Sequence, residues 1–276
     1  SMRHFLDNQQ YNTPGILRYE KVFGAGFVST GGAATTAAFV DALALRPGDA
    51  VLDVGCGIGG GAFYMAARHG ARVHGVDLSV NMVLLAMARA ADARADAVSF
   101  EIADVATVPL PAAAYDVVYS RDTILHVADK KALLERLCAA LKPGGRLLVT
   151  DYCSSGDPPS PEFGAYIAQR GYHLLSVPDY GAALCAAGFA DVEADDRTWQ
   201  FKAALDAELA RAREGKAAFV AEFSEADYDA VVGGWEDKLR RVAAGEQRWG
   251  LFTARRPAEV GHVGAATGAA NGANGH

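Results

Sequence analysis

No run of about 18 consecutive apolar residues occurs in the 276-residue chain, so no transmembrane helix is expected. Basic residues are the minority charge: 26 Lys and Arg stand against 33 Asp and Glu, for a formal net charge of −7. A nucleic-acid-binding surface would need a basic face, and that partner class is not expected. Cysteine is scarce. Cys56, Cys138, Cys153 and Cys185 form no CxxC pair, and no histidine joins them at ligand spacing. They read as reduced thiols of a cytoplasmic protein with no structural metal. The N-terminus shows no charged-then-apolar leader, and Ser1-Met2 reads as the remnant of a cleaved tag ahead of a native start. Internal repeats are absent.

What is present is enough for a sizeable core. Hydrophobic residues make up 51% of the chain, which suits one large domain or one domain with an insertion. After a polar, aromatic-bearing lead-in, strands and helices alternate. Ala50–Val54, Arg72–Val76, Ser99–Ile102, Tyr115–Ser120 and Arg146–Thr150 read as strands. Gly60–His69, Asn81–Ala91 and a stretch through Lys131–Leu141 read as helices between them. This rhythm implies a parallel sheet in a doubly wound α/β fold. Ser154–Pro161 reads as a loop, and Phe163–Tyr172 and Tyr180–Ala187 as helices. Asp191–Asp195 is a candidate sixth strand, and Gln247–Arg255 a seventh that closes the sheet. Between those two strands, Lys202–Phe223 and Asp227–Val242 read as long helices covering the site. The expected plan is a lead-in lid over 1–30, a sheet domain over 31–256 with a helical insertion at about 154–245, and a disordered Gly/Ala/Asn tail over 257–276.

The densest chemical signal is Asp53-Val54-Gly55-Cys56-Gly57-Ile58-Gly59-Gly60-Gly61, which leaves a strand and opens a helix. Glycine lets the backbone turn sharply beside a ligand, and the helix N-terminus favours a negative group. Gly55, Gly57 and Gly60 also satisfy a dinucleotide pattern. Asp77, about twenty residues on, suits the ribose hydroxyls in either type of site. Asp104, ending the third strand, separates them, because there a methyltransferase positions an acid for the adenine amino group. With Tyr119-Ser120-Arg121-Asp122 after the fourth strand and Leu141-Lys142-Pro143-Gly144-Gly145 before the fifth, the series resembles class I S-adenosylmethionine-dependent methyltransferases. That resemblance implies a seven-stranded Rossmann-like sheet. It implies S-adenosyl-L-methionine as cofactor and S-adenosyl-L-homocysteine as product. The implied cofactor contacts are Ser29, Asp53, Gly55, Gly57, Asp77, Leu78, Asp104, Val105, Ser120 and Arg121.

A narrower resemblance runs from about residue 4 to 255. Phe5-Leu6-Asp7-Asn8-Gln9-Gln10-Tyr11, Gly26-Phe27-Val28-Ser29-Thr30-Gly31-Gly32, Tyr119–His126, Thr150-Asp151-Tyr152-Cys153, Tyr166–Tyr172, Gly233-Gly234-Trp235 and Gly245–Phe252 resemble the phosphoethanolamine N-methyltransferases. The likeness is nearest to the C-terminal catalytic half of the plant enzymes and to the single-domain parasite enzymes. It implies a small phosphobase, with the phosphate held by Tyr152, Tyr166, Arg170, Tyr172 and Lys238. Tyr166 and Arg170 are four apart and share a helix face. Arginine offers a planar fork to phosphate, and lysine a point charge. Gln10 and Ser29 match further pocket positions, and Gln10 and Tyr19 are counted among the expected substrate contacts. His126 matches the family's catalytic histidine and Tyr11 its dyad partner, while Asp122, one turn earlier, would orient the amine or the dyad.

The chemistry asks for such a group. An amine with a pKa near 10.4 costs about 4–5 kcal/mol to neutralise at pH 7, and a base that collects the proton removes much of that. Tyr11, Tyr19 and Tyr172 could stabilise the growing cation, by about 0.5–2 kcal/mol each. Other residues invite blander readings. His69 and His74 read as surface or core-edge groups, and Trp199, Trp235 and Trp249 as packing anchors. The charged run Glu208–Lys216 reads as a solvated face. The expected function is N-methylation of phosphoethanolamine or its mono- and dimethyl forms towards phosphocholine, without a metal, by a monomer or weak dimer. Two rivals stand beside it: a methyltransferase for another small zwitterion, or a non-catalytic S-adenosylmethionine-binding regulator.

Overall fold

The computed structural model describes residues 2–259. Most of the expected tail, from residue 260 on, lies outside the described residues. The chain opens with α1 (Met2–Phe5), a wider π turn at Leu6–Gln10 and α2 (Thr13–Phe23). Asn12 caps α2 by accepting from the Gly15 N–H at 2.8 Å. Pro14 sits in its first turn, where the missing N–H removes no helix bond. α3 (Gly32–Ala42) then leads into the sheet.

Seven strands form one sheet: β1 (Ala50–Val54), β2 (Arg72–Asp77), β3 (Val98–Ile102), β4 (Tyr115–Arg121), β5 (Leu141–Ser154), β6 (Ala190–Asp196) and β7 (Gln247–Arg255). Their order is β3-β2-β1-β4-β5-β7-β6. The first five are parallel, as the alternation implies. The seventh strand does not close an edge. It wedges antiparallel between β5 and β6, so the sheet is mixed. Trp249 and Phe252 on β7 are both fully buried, as residues of an interior strand are.

The helices α4 (Gly60–His69), α5 (Val80–Ala93), α6 (Lys130–Ala140), α7 (Pro161–Arg170), α8 (Val177–Ala186), α9 (Thr198–Glu214), α10 (Lys216–Glu222) and α11 (Glu225–Ala243) follow in chain order. Strand side chains alternate between two cores. Val51, Val117 and Leu148 face one core, shared with α3, α4, α5, α9 and α11. Their neighbours Leu52, Val118, Leu147 and Val149 face the other, under α6 and α8. α8 is therefore an ordinary member of the doubly wound layer, packed on α6, β6 and β7. The helices that pack beside the N-terminal segment are α9 and α11, which meet each other and α2. The single helix expected over Lys202–Phe223 is two, because Gly215 interrupts it. No helix among the described residues is long and apolar enough to cross a membrane.

Candidate active site

The glycine loop leaves β1 and enters α4. Gly55 has φ +74°, and a Cβ there would stand 2.1 Å from Thr123 Oγ1. A Cβ on Gly60 would stand 2.2 Å from the Gly26 carbonyl oxygen, so glycine lets the N-terminal segment close onto the loop. Asp77, ending β2, braces the loop from below. Its Oδ2 accepts the Gly57 N–H and its Oδ1 the Ser79 N–H, each at 2.9 Å. Burial pushes its carboxyl above the usual range, against those bonds. A carboxylate has about four lone-pair sites, so each oxygen can still accept from a ligand. Asp53 is 3% exposed, and burial, helped by Asp77, pushes it up to about 7. Asp104 is exposed, its Oδ1 accepting the Ala106 N–H at 2.9 Å.

These groups surround a cavity of about 470 Å³, to which Ser29, Gly55, Gly57, Leu78, Val105 and Arg121 also contribute. Of the expected cofactor residues only Ser120 stands off it. Its side chain is fully buried and donates to the Val54 carbonyl at 2.8 Å, cross-linking β4 to β1. That bond turns its hydroxyl into the sheet and away from the cavity.

A second cavity of about 340 Å³ adjoins the first. All seven expected substrate residues line it: Gln10, Tyr19, Tyr152, Tyr166, Arg170, Tyr172 and Lys238. The rings of Tyr152 and Tyr166 meet that of Tyr172 edge-on at 6.1 and 5.8 Å. The Arg170 guanidinium lies 5.5 Å from the Tyr166 centroid, and Lys238 Nζ 4.2 Å from that of Trp235. Burial, with Arg170 nearby, lowers the Lys238 ammonium to about 8.

Two inward-facing groups, Arg241 on this cavity and Glu208 behind it beside Trp235, carry no clear signal in the sequence. Arg241, three residues beyond Lys238 on α11, is 5% exposed and lies 3.9 Å from the Tyr166 ring. Its Nε donates to Gln247 Oε1 at 2.9 Å. Glu208 corrects the reading of 208–216 as a solvated face. It is 1% exposed, points inward beside Trp235, and its Oε2 is buried without a hydrogen-bond partner. Burial raises it to about 7, against the pull of Lys238.

Tyr11, Val28, Ser29 and Asp122 line both cavities and mark their junction. His126 lies on the first cavity, at the end of a 3₁₀ turn over Ile124–His126. Lys130 Nζ donates to the Ile124 and Val127 carbonyls, at 2.8 and 3.0 Å, and clamps that turn. The His126 ring meets Tyr172 edge-on at 5.2 Å. Its Nδ1 is buried without a hydrogen-bond partner. Burial, then Lys130 and Arg170, hold its pKa down to about 4, so the imidazole is neutral. The expected Tyr11–His126 dyad is not hydrogen-bonded here: the Tyr11 hydroxyl accepts from Gln10 Nε2 at 3.0 Å. Nor does Asp122 sit one regular turn before His126. It has a left-handed backbone (φ +50°), and Trp249, expected only to pack, donates to its Oδ1 at 2.8 Å.

The N-terminal segment is tied down by Asp7, another group with no role legible beforehand. Asp7 accepts from the Ser79 hydroxyl at 2.8 Å and from the Val80 and Asn81 N–H groups at the start of α5. An acid there complements the helix dipole. Asn81 Nδ2 reaches back to the Tyr11 carbonyl at 3.0 Å, linking Asp7, Asp77 and Tyr11 in one network.

A methyltransferase-domain family model matches residues 45–188. Phosphoethanolamine N-methyltransferase 1 of Arabidopsis thaliana is 54% identical over 92% of this chain, but only 52% of that protein is covered. The chain thus spans about half the length of the curated plant relatives it matches. Phosphoethanolamine N-methyltransferase 2 of Haemonchus contortus, solved with phosphomonomethylethanolamine and S-adenosylhomocysteine, superposes with a TM-score of 0.91 at 37% identity. That match covers 93% of this chain and 60% of the nematode chain. The Plasmodium falciparum phosphoethanolamine N-methyltransferase is 35% identical, with 93% of this chain and 97% of that protein aligned. With a relative matched over almost its whole length, the chain belongs to the phosphoethanolamine N-methyltransferase family.

Proposed function

We propose that this chain transfers methyl groups from S-adenosyl-L-methionine to the nitrogen of phosphoethanolamine, or of its mono- and dimethyl forms, towards phosphocholine. The observation that carries this reading is the pair of joined cavities. One is built of the glycine loop, Asp53, Asp77 and Asp104; the other is lined by Arg170, Lys238, Arg241 and tyrosines. A donor in the first and a phosphate at the far end of the second would leave the amine at the junction, beside Asp122. The first cavity fits the cofactor: acids follow β2 and β3, and Asp77 retains acceptor capacity. When bound there, the cofactor supplies an electrophilic methyl group.

The chain's own residues do the rest. Arg170 and Lys238 anchor the phosphate, with tyrosine hydroxyls as further donors. Asp122 orients the amine. His126 is already neutral and can accept the proton, while a phosphate dianion beside Arg170 offsets part of the positive field that makes it a weak base. Alignment of nitrogen, carbon and sulfur can supply several kcal/mol, about 7–11 at best. The lead-in up to residue 30 acts as the lid, 31–256 as the methyltransferase domain, and α7 and α11, within the expected insertion at about 154–245, as its substrate-binding helices. The chain works in the cytoplasm as a monomer or weak dimer. Buried, unpaired Cys56, Cys138 and Cys153 are consistent with that compartment.

A thermal-shift panel tests the assignment: S-adenosylhomocysteine with phosphoethanolamine, phosphocholine, ethanolamine or methionine. Ligand at about 100 times its Kd stabilises by about 2.7 kcal/mol, or about 5–10 °C for a domain of this size. The phosphobases should raise Tm by that order. Stabilisation by methionine or ethanolamine, but not by the phosphobases, would overturn the reading.

A further inference from the structure

Asp122 is fixed more tightly than a loop carboxylate needs to be. Its backbone is left-handed at φ +50°, a region a non-glycine residue enters at a cost. Its N–H donates to the Thr150 carbonyl at 2.9 Å. Its Oδ1 accepts twice, from the Thr150 hydroxyl at 3.1 Å and from the Trp249 indole N–H at 2.8 Å. The direction of the threonine bond is set, because Thr150 Oγ1 already accepts from Arg121 Nε at 2.8 Å. Oδ1 is therefore saturated by two donors. Oδ2 is buried without a hydrogen-bond partner, on a residue that lines both cavities.

Trp249 is placed to hold this arrangement. It sits on the interior strand β7, fully buried, with Phe39 and Phe201 rings 5.8 and 5.9 Å away. The Arg121 guanidinium lies 5.8 Å from its ring. An indole wedged between rings and a buried guanidinium has little rotational freedom, so its N–H is a fixed pin on the Asp122 carboxylate.

We propose that Trp249 is a positioning residue for methyl transfer: with Thr150 it saturates Asp122 Oδ1, so that Oδ2 is presented as the acceptor for the substrate's amine N–H. This rests on the phosphobase reading above. It makes the contribution of Trp249 depend on how many N–H groups the acceptor has left. Protonated phosphoethanolamine offers three, its monomethyl form two, its dimethyl form one and phosphocholine none. Charge attraction to Asp122 is common to all four; the directed hydrogen bond is not.

The test is calorimetric binding of these four phosphobases to the S-adenosylhomocysteine-loaded chain, wild type against Trp249→Phe, which keeps an aromatic ring and removes the N–H. A hydrogen bond to a charged group corresponds to about tenfold or more in affinity. The variant should bind phosphoethanolamine about tenfold more weakly and phosphocholine within about twofold of wild type, with the other two between. A purely structural role for Trp249 would weaken all four alike, and that uniform loss, or no loss, overturns the proposal while the phosphobase reading stands. If wild type binds none of the four, the phosphobase reading itself falls. Should Trp249→Phe fail to fold, replacement of Trp249 by benzothienylalanine, the same shape with sulfur in place of N–H, gives the same comparison.

Discussion

At the scale of single residues, the site is defined by groups held in one protonation state by their surroundings. His126 is the plainest case, neutral because it is buried and faces Lys130 and Arg170. The unfolded chain takes up a proton on this imidazole as pH falls through about 6.5. The folded chain does so only near 4. Its contribution to stability is therefore complete above pH 6.5 and lost as pH falls towards 4, up to about 3 kcal/mol. Urea unfolding between pH 7 and 5 should show a shallower loss for His126→Asn than for wild type; identical slopes would contradict the buried neutral state. For the phosphate, Arg170→Ala should raise the Michaelis constant for the phosphobase at least tenfold, a charge-assisted bond of about 1.5–3 kcal/mol. An unchanged constant in steady-state kinetics would remove Arg170 from phosphate binding. Gln10, Tyr152, Tyr166, Arg170 and Tyr172 were legible as inward-facing residues because they fall in the motifs that carry the family resemblance. Arg241 and Glu208 were not, because a charged residue on a helix gives no sign of which side it faces.

At the scale of elements, the loops after β1, β2, β3 and β4 each line part of the site, and the N-terminal segment packs over the glycine loop. The five parallel strands and the glycine loop were readable from periodicity and turn residues. The position of β7 was not. Strand order is a property of the assembled sheet, and Trp249 meets Asp122 across 127 residues of sequence. Gly215 signals the break between α9 and α10, but charged helix formers on both sides keep the helical pattern running through it. Closure depends on Asp7 at the start of α5 and on Glu20, which pairs with Arg89 through two bonds of 2.6 and 2.9 Å. Removing an acid from a helix N-terminus costs about 1 kcal/mol. Asp7→Ala should therefore weaken S-adenosylhomocysteine about threefold to tenfold by calorimetry, with a small change in Tm. Unchanged affinity would separate the N-terminal segment from the cofactor site.

At the scale of the whole molecule, the chain is acidic, yet one cavity gathers Arg18, Arg170, Lys238 and Arg241 against Asp122, Asp227 and Asp237, with Arg18 paired to Asp227 at 3.4 Å. Attraction of a phosphate dianion into that pocket weakens as salt shortens the Debye length, from about 10 Å at 0.1 M to 3 Å at 1 M. The Michaelis constant for the phosphobase should rise severalfold over that range while that for the cofactor changes little; equal rises would point to a general effect of salt on the fold. In the proposed function the two cavities bring a methyl donor and the amine of a phosphobase together. The most direct measurement is transfer of a labelled methyl group from S-adenosyl-L-methionine to phosphoethanolamine and its mono- and dimethyl forms, with products identified by mass, for wild type and His126→Ala. Label is expected in the methylated phosphobases, and turnover in His126→Ala should fall far more than cofactor affinity. Label appearing only in free ethanolamine or an amino acid, or no transfer at all, would contradict it.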